Sequence, residues 1–351
     1  MSPPTPDYLY PYNDTWDDSF LDDLDAPSVP LTLRFVLALY ALIFLLGVLG
    51  NGAVVWVTAL ELRRTVNGVW FLNLAVADLL CCLALPFLAL PLARDHHWPL
   101  GGVSCRVVPS LTVLNMFASV LLLTGLSADR CALVTRPVWC HNHRTPGLAR
   151  GACAGAWAAA ALLTLPSFVF RTTRVDSFAA KTTCVLDYSL VGSHQRLTEV
   201  ATAVTRLLCG FVGPLAVISA CYGRLLCHLR AKGSAWPQRA TRTVLAVVVS
   251  FFVCWLPYHA VGVALAAAPA GSAAFRAAQD ADPVVAGLAY VNSCLNPLIY
   301  VVMGRAFRKR VRRSWRGVLK GVLADEPVSG DGKSKSGTTT LEEEQSVGTA
   351  V

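Results

Sequence analysis

The stretch Phe71 to Leu90, FLNLAVADLLCCLALPFLAL, is apolar almost throughout and yet carries an aspartate, Asp78, in its first half. The stretch is long enough to cross the hydrocarbon core of a bilayer. A carboxylate at the centre of such a helix costs roughly 2.5–3.5 kcal/mol on insertion scales. We therefore expect Asp78 to face the interior of a helix bundle, where other spans supply its partners.

The composition of the whole chain is typical of a polytopic membrane protein. Of its 351 residues, 54% are hydrophobic and only 15% are charged, which is too apolar for a soluble protein of this size. Windows of mostly apolar residues predict an all-α membrane protein, a bundle of seven transmembrane helices. They lie near residues 35–60, 67–93, 103–135, 147–170, 199–229, 239–268 and 283–304.

The charges outside the spans predict the orientation of the chain. Residues 1–33 hold seven acids and no base, whereas residues 305–324 hold eight bases and no acid. The positive-inside rule then places the N-terminus outside the cell and the C-terminus in the cytosol, in a multi-pass plasma membrane protein. The net charge of +8 reflects this topology and attraction to anionic membrane lipid, and it does not require nucleic acid as a partner.

Four segments follow from this topology. They are an acidic disordered extracellular N-terminus (1–34), the seven-helix bundle (35–304), a short amphipathic cytosolic helix (305–320) and a disordered Ser/Thr-rich cytosolic tail (321–351). The hydroxyl groups of the tail are candidate phosphorylation sites. They are Ser329, Ser334, Ser336, Thr338, Thr339 and Thr340.

Two cysteines and one sequon lie on the predicted outer face. Cys105 begins the third span and Cys184 lies in the connection between the fourth and fifth spans. Because that compartment is oxidising, we expect a disulfide between them. Asn13 begins the sequon Asn13-Asp14-Thr15 and is a candidate glycosylation site.

Several spans carry further polar residues at about the depth of Asp78. They are Asn51 on the first span, Asn115 and Ser119 on the third, and Asn292 and Asn296 on the seventh. On the third and the seventh span, a spacing of four residues puts both polar side chains on one helix face. Small oxygen ligands around one carboxylate predict a site for a sodium ion and its waters. The alternative is a hydrogen-bond network that only joins the helices.

Prolines interrupt five of the predicted spans. They are Pro86, Pro91, Pro166, Pro214, Pro257 and Pro297. Each removes a backbone hydrogen bond and permits a kink. Kinked helices around polar interior groups favour a bundle that changes shape.

Short motifs on these spans identify a family. They are Gly50-Asn51, NLAVADLL at 73–80, DRC at 129–131, Trp157, Pro214, CWLPY at 254–258 and NPLIY at 296–300. In this order and spacing they resemble the rhodopsin-like G-protein-coupled receptors, over about residues 35–320. Stretches between the motifs, such as HHWPLGG before Cys105 and SFFVCWLPY at 250–258, are similar to the chemoattractant branch and, within it, to anaphylatoxin receptors.

The resemblance implies a receptor and not an enzyme. It implies a basic protein ligand, complement fragment 5a, and signalling of chemotaxis and inflammatory activation through inhibitory-class G proteins, with receptor kinases and arrestin acting on the tail. A receptor for another chemotactic peptide, such as formyl peptides, is the alternative. It implies no cofactor, apart from the possible allosteric sodium ion.

The same resemblance assigns roles in activation and G-protein coupling. The residues concerned are Asp129, Arg130, Trp255, Pro257 and Tyr300. Cys131 departs from the family pattern, since an aromatic residue usually follows Asp-Arg. Arg130 is retained, whereas a related non-signalling receptor lacks it, and this favours G-protein coupling.

Ligand recognition is predicted at two places. In the acidic tail, Asp14, Asp17 and Asp18 would attract a basic ligand. The tail's tyrosines, Tyr8, Tyr10 and Tyr12, are candidate sulfation sites.

Within the bundle, Arg206 stands among apolar residues of the fifth span and requires an anion. Glu199 lies seven residues before it on the same helix face. Asp282, Arg171 and Tyr258 complete a predicted mixed-charge pocket for a ligand C-terminus. An internal salt bridge of Arg206 is the alternative.

Two other classes of seven-helix protein fit the sequence poorly. A retinal-dependent pump needs a Schiff-base lysine, and no lysine falls inside a predicted span. A transporter would be expected to show internal repeats and paired broken helices, which the sequence does not contain.

Overall fold

Long helices make up most of the computed structural model, which describes residues 30–59, 65–176, 181–231, 239–269 and 271–303. The helices in these ranges are α1 (Leu31–Val57), α2 (Val66–Ala93), α3 (Gly101–Thr135), α4 (Pro137–His143), α5 (Pro146–Val169), α6 (Gln195–Leu207), α7 (Gly213–Ala231), α8 (Arg239–Ala267) and α9 (Ala273–Met303). A 3-10 turn, Ser189–His194, precedes α6, and a π-helical turn, Leu208–Val212, joins α6 to α7.

Six helical segments are long and apolar enough to cross a membrane by length and composition. They are α1, α2, α3, α5, the continuous segment that contains α6 and α7, and α8. The seventh helix, α9, packs along α8 and α1. Together they form the predicted bundle, and the short α4 lies in the connection between α3 and α5.

The predicted helix bounds differ from the observed bounds mainly in α9, which begins at Ala273 where the sequence predicts 283. Its first ten residues, AAFRAAQDAD, are good helix formers because of their alanines. They carry too much charge to count as a membrane window. As a result Asp282 lies within the helix, two and a half turns from its start, and not at its end.

Side-chain caps fix two helix starts. The Thr65 hydroxyl accepts a hydrogen bond from the Gly68 N–H at the start of α2. The Thr145 hydroxyl does the same for Leu148 at the start of α5, where Pro146 occupies the first helical position. Proline suits that position because its missing N–H has no partner there in any helix.

The centre of the bundle is α3, and the core around it is tightly packed. Met116, Leu122 and Val120 are fully buried. Gly125 lies against the indole of Trp70, and a Cβ on this glycine would come within 2.7 Å of the ring atom Cη2. A glycine is therefore required where α2 and α3 touch, since a rigid ring cannot move aside cheaply.

A two-stranded antiparallel sheet covers one end of the bundle. Strand β1 (Arg171–Asp176) pairs with β2 (Lys181–Leu186). A disulfide joins Cys184 of β2 to Cys105 of α3, as the sequence predicts, with their Cα atoms 5.6 Å apart. We call this end of the bundle the disulfide end, and the opposite end the Asp129 end.

The sheet is also fastened to the connection between α2 and α3. The Trp98 N–H donates to the Thr182 carbonyl at 2.6 Å. The Lys181 ammonium donates to the Asp95 carboxylate, and this hydrogen bond together with the lysine charge holds the pKa of Asp95 below its usual value. The contact is exposed, so we expect the disulfide to do most of the fastening.

The predicted prolines lie inside helices, and α6–α7 shows what one of them does. Pro214 is the second residue of α7, one residue after the end of the π-helical turn. Proline cannot donate the backbone hydrogen bond that would continue a regular α-helix, and a π-turn re-pairs the neighbouring groups. Two further helix prolines, Pro109 in α3 and Pro283 in α9, were not predicted as interruptions.

Candidate functional site

A polar cluster surrounds Asp78 in the middle of the bundle. The carboxylate is fully buried and accepts a hydrogen bond from the Asn296 side-chain amide at 2.7 Å. Asn51 donates to the backbone carbonyl of Ser293 at 2.7 Å. The cluster thus draws on α1, α2 and α9, as the sequence predicts for a carboxylate that cannot face lipid.

The polar pair on α3 joins the same cluster. Ser119 donates to the Asn115 side-chain oxygen at 3.2 Å, and the Asn115 amide reaches the Ser293 hydroxyl at 3.5 Å. Ser293 is the residue that the sequence prediction missed, although it lies next to Asn292 and is fully buried. Its backbone carbonyl and its hydroxyl together link α1 and α3 to α9.

Buried oxygens without partners remain in this cluster. Among residues that the structure describes, none of these oxygens has a hydrogen-bond partner: Oδ1 of Asp78, Asn51, Asn292 and Asn296. An unsatisfied buried polar group is costly. Hard cations prefer oxygen ligands such as carboxylates, amide carbonyls and water. The residues present therefore fit a sodium ion.

The predicted ligand pocket lies toward the disulfide end, between α6, α8, α9 and β1. The Arg206 guanidinium donates to the Tyr258 hydroxyl at 3.3 Å. Asp282 interacts electrostatically with both Arg206 and Arg171. Within the described residues, no ion pair closer than 4.0 Å joins Asp282 to either arginine.

The charges of this pocket do not balance. Two arginines, Arg171 and Arg206, share one carboxylate, Asp282. The Nε of Arg171 is buried and has no partner in the described part of the chain, and burial is the main reason that the pKa of this guanidinium lies below its usual value. One positive charge is therefore left over, which fits an incoming anion.

Glu199 does not join the pocket through Arg206. It forms an ion pair with Arg196 at 2.9 Å, three residues earlier on the same helix, and its side chain is 39% exposed. Side chains one helical turn apart can touch, whereas Glu199 and Arg206 are two turns apart. The ion-pair partner of Glu199 in the described part of the chain is therefore Arg196.

Aromatic rings connect the pocket to the interior. The Tyr258 ring meets Trp255 edge to face, with centroids 5.5 Å apart, and Trp255 lies 5.8 Å from Phe251. Trp255 is buried and Pro257 interrupts the same helix. His259, also buried, packs against Trp255 and Phe211, and the sequence prediction did not include it.

At the Asp129 end, the Asp129 carboxylate is held mainly by Arg144. Arg144 donates to both carboxylate oxygens, at 2.7 and 2.9 Å, in a bidentate pair. Arg130, the next residue along α3, stands 3.8 Å from one oxygen. Both arginines also donate to the side-chain oxygen of Asn67.

Sequence reasoning missed Arg144 and Asn67 as members of this cluster. Arg144 follows α4 and reaches back to α3 because that short helix folds the connection against the bundle. Its position in a basic connection predicts the side of the membrane on which it lies, but not a contact with Asp129. Asn67, six residues before the NLAVADLL motif, was equally unmarked.

Some predicted site residues lie outside the described residues. They are Tyr8, Tyr10, Tyr12, Asn13, Asp14, Asp17 and Asp18 in the N-terminal segment, and Ser329, Ser334, Ser336, Thr338, Thr339 and Thr340 in the C-terminal segment. The amphipathic helix predicted at 305–320 also lies outside them. Tyr300 belongs to α9, but its side chain is not among those described.

Comparison with known proteins agrees with this geometry. A family model described as "7 transmembrane receptor (rhodopsin family)" matches residues 50–300. The C5a anaphylatoxin chemotactic receptor 1 of Oryctolagus cuniculus is 47% identical over 338 residues, covering 93% of this chain and 96% of the relative. The proteins of the same name from Homo sapiens and Gorilla gorilla gorilla are each 45% identical, over 347 and 342 residues, with 95% of both chains covered.

These matches span the whole bundle, including the buried cluster around Asp78 and the aromatic connection through Trp255. The family model ends at Tyr300, the last residue of the NPLIY motif. The chain belongs to the rhodopsin family of seven-transmembrane receptors, which are not enzymes.

Proposed function

We propose that this protein is a cell-surface receptor for complement fragment 5a. It is a G-protein-coupled receptor of the chemoattractant type, and the names of its relatives support the finer assignment. The observation that carries the proposal is the pocket with one uncompensated positive charge. Its two arginines suit a ligand's C-terminal carboxylate, and Asp282 suits a basic ligand side chain.

The proposed orientation puts the disulfide end outside the cell. The distribution of charges in the sequence supports it, and so does the disulfide, because disulfides persist in the oxidising extracellular space. In this orientation Asp14, Asp17 and Asp18 stand on the ligand's side and attract a basic protein. Sulfation of the tyrosines beside them, and glycosylation of Asn13, would occur on the same side.

We also propose that a sodium ion binds beside Asp78. Asp78 would supply the negative charge, and the free oxygens of Asn292, Asn296 and Asn51 would hold the ion or its waters. The ion would stabilise the resting bundle by satisfying these groups. Ligand binding that shifts Trp255 and α9 would change the spacing of the cluster, so that ion binding and agonist binding oppose each other.

On the cytosolic side, the proposed partners are an inhibitory-class G protein, receptor kinases and arrestin. Arg130 and the surrounding Asp129 cluster form the G-protein side of the bundle. The tail hydroxyls at Ser329, Ser334, Ser336 and Thr338–Thr340 are the proposed phosphosites through which arrestin binds. Retention of Arg130 supports a signalling receptor.

The test is a signalling assay in cells that express the full chain. Complement fragment 5a should lower cyclic AMP and raise calcium, and a formylated tripeptide at the same concentrations should not. An Arg130→Ala variant should bind labelled fragment 5a at the surface but fail to signal. A response to the formyl peptide alone would overturn the ligand assignment and favour the alternative receptor class.

A further inference from the structure

A shallow, largely open cleft of about 410 Å³ lies between α3 and α7 at the Asp129 end. Its walls are Thr135, Arg136, Arg224, Cys227 and His228. The three α7 residues are spaced by three and four, so they lie on one helix face, which borders α3. The cleft is at the opposite end of the bundle from the ligand pocket and shares no residue with the Asp78 cluster.

The cleft is cationic and has no counter-charge of its own. In the described part of the chain, the guanidinium groups of Arg136 and Arg224 form no hydrogen bond and no ion pair. Asp129, a described carboxylate at the same end of the bundle, is already held by Arg144. His228 adds an imidazole whose Nε2 lacks a partner among the described residues. Two free guanidiniums at one cleft suit a phosphate, which accepts their paired N–H groups.

The cleft also lies at the side of the bundle, toward lipid. Arg224 is seven residues after Val217, so both lie on one face of α7, and Val217 is 47% exposed on the apolar part of the helix. On the other wall, Arg136 leads directly into α4, which exposes Val138 and Trp139. Exposed tryptophan next to arginine at a helix end is typical of the membrane–water interface.

We infer that this cleft binds the phosphate of an anionic lipid headgroup, with Arg136 and Arg224 as its ligands. A phosphomonoester, as on a phosphorylated inositol headgroup, is the preferred class because it carries nearly two negative charges, whereas a phosphodiester carries one. The inference goes beyond the proposed function, which assigns no lipid site. It rests on the proposed function in one respect: the proposed orientation places the Asp129 end, and so the cleft, at the cytosolic leaflet.

The experiment measures lipid binding to the purified full-length receptor in detergent micelles. The probe is short-chain phosphatidylinositol 4,5-bisphosphate, titrated and followed by native mass spectrometry. Arg136→Gln/Arg224→Gln should weaken binding by roughly thirtyfold, since each basic residue near an anionic headgroup contributes about fivefold. The charge-matched control, Arg150→Gln/Arg242→Gln, removes two exposed arginines of the same end and should change binding less than about threefold.

Two further measurements show whether a loss of binding comes from misfolding, and whether the ligand is a lipid or a soluble phosphate. Arg136→Lys/Arg224→Lys keeps both charges and should keep most of the binding, so a loss in the glutamine variant with retention here identifies the charges and not misfolding. Soluble inositol trisphosphate should bind more weakly than the lipid. Equal loss in the Arg150/Arg242 control, no loss in the cleft variant, or tighter binding of the soluble phosphate would each overturn the lipid assignment. None of these readouts uses fragment 5a, so they are independent of the proposed ligand.

Discussion

Replacement of Arg144 by alanine should make the receptor couple less well to its G protein. Arg144 now holds Asp129 through two short hydrogen bonds, while Arg130 stands 3.8 Å from the same carboxylate. Without Arg144, the carboxylate keeps only Arg130 as a charged partner. We expect Arg130 to close on Asp129 and to become less available to a G protein.

The structure gives the size of this effect. Closing the Arg130–Asp129 separation from 3.8 Å to about 2.8 Å gains about 1.5 kcal/mol at an effective dielectric constant of about 20. That corresponds to roughly a tenfold shift toward the paired state of Arg130. Folding should suffer little, because Asp129 is not left as an unpaired buried charge.

The assay is GTP exchange on a purified inhibitory-class G protein by receptor in lipid nanodiscs. Arg144→Ala should raise the agonist concentration for half-maximal exchange about tenfold, without changing agonist binding in the absence of G protein. Arg144→Lys should fall between, since lysine cannot form the bidentate pair. The control is Arg150→Ala, since the Nε of Arg150 donates only to the Pro146 carbonyl within the described residues. Coupling by Arg144→Ala equal to or better than wild type would refute the reasoning.

Three further predictions follow from the core and the disulfide end. Gly125→Ala should destabilise the bundle by about 1–3 kcal/mol, seen as a lower unfolding temperature, because the new Cβ meets an indole ring; Gly155→Ala, which points into open space, should not. Asp78→Asn should abolish the sodium dependence of agonist affinity, and a dependence unchanged in that variant would exclude the proposed ion site. Removing the disulfide by Cys105→Ser with Cys184→Ser should destabilise the protein by at most about 4–5 kcal/mol, with faster hydrogen exchange in the hairpin as its signature; unchanged exchange would show that the other contacts hold the hairpin alone.

The sequence predicts those features that the membrane itself enforces. A carboxylate in an apolar span must face other spans, and the structure places Asp78 against Asn296 for that reason. Cys105 and Cys184 were predictable as a pair because both lie on the predicted outer face, where disulfides persist. In each case one strong physical constraint selects the outcome.

Features that depend on how connections fold were not predictable in this way. Arg144 reaches Asp129 only because α4 turns the chain back toward α3, and nothing in the local sequence of α4 indicates that approach. The ion-pair partner of Glu199 was also not predicted: Glu199 pairs with Arg196, one turn away, and not with Arg206, which lies two turns away on the same face. The start of α9 was misplaced because a hydropathy window detects the apolar part of a helix and not the polar turns that precede it.

The most direct test of the whole account is the affinity of complement fragment 5a, intact and C-terminally truncated, for wild type and Arg206→Ala. If the surplus charge of the pocket receives the ligand carboxylate, the substitution should weaken intact ligand by roughly ten- to a hundredfold and leave the truncated ligand nearly unaffected. Equal weakening of both ligands, or none of either, would contradict the account.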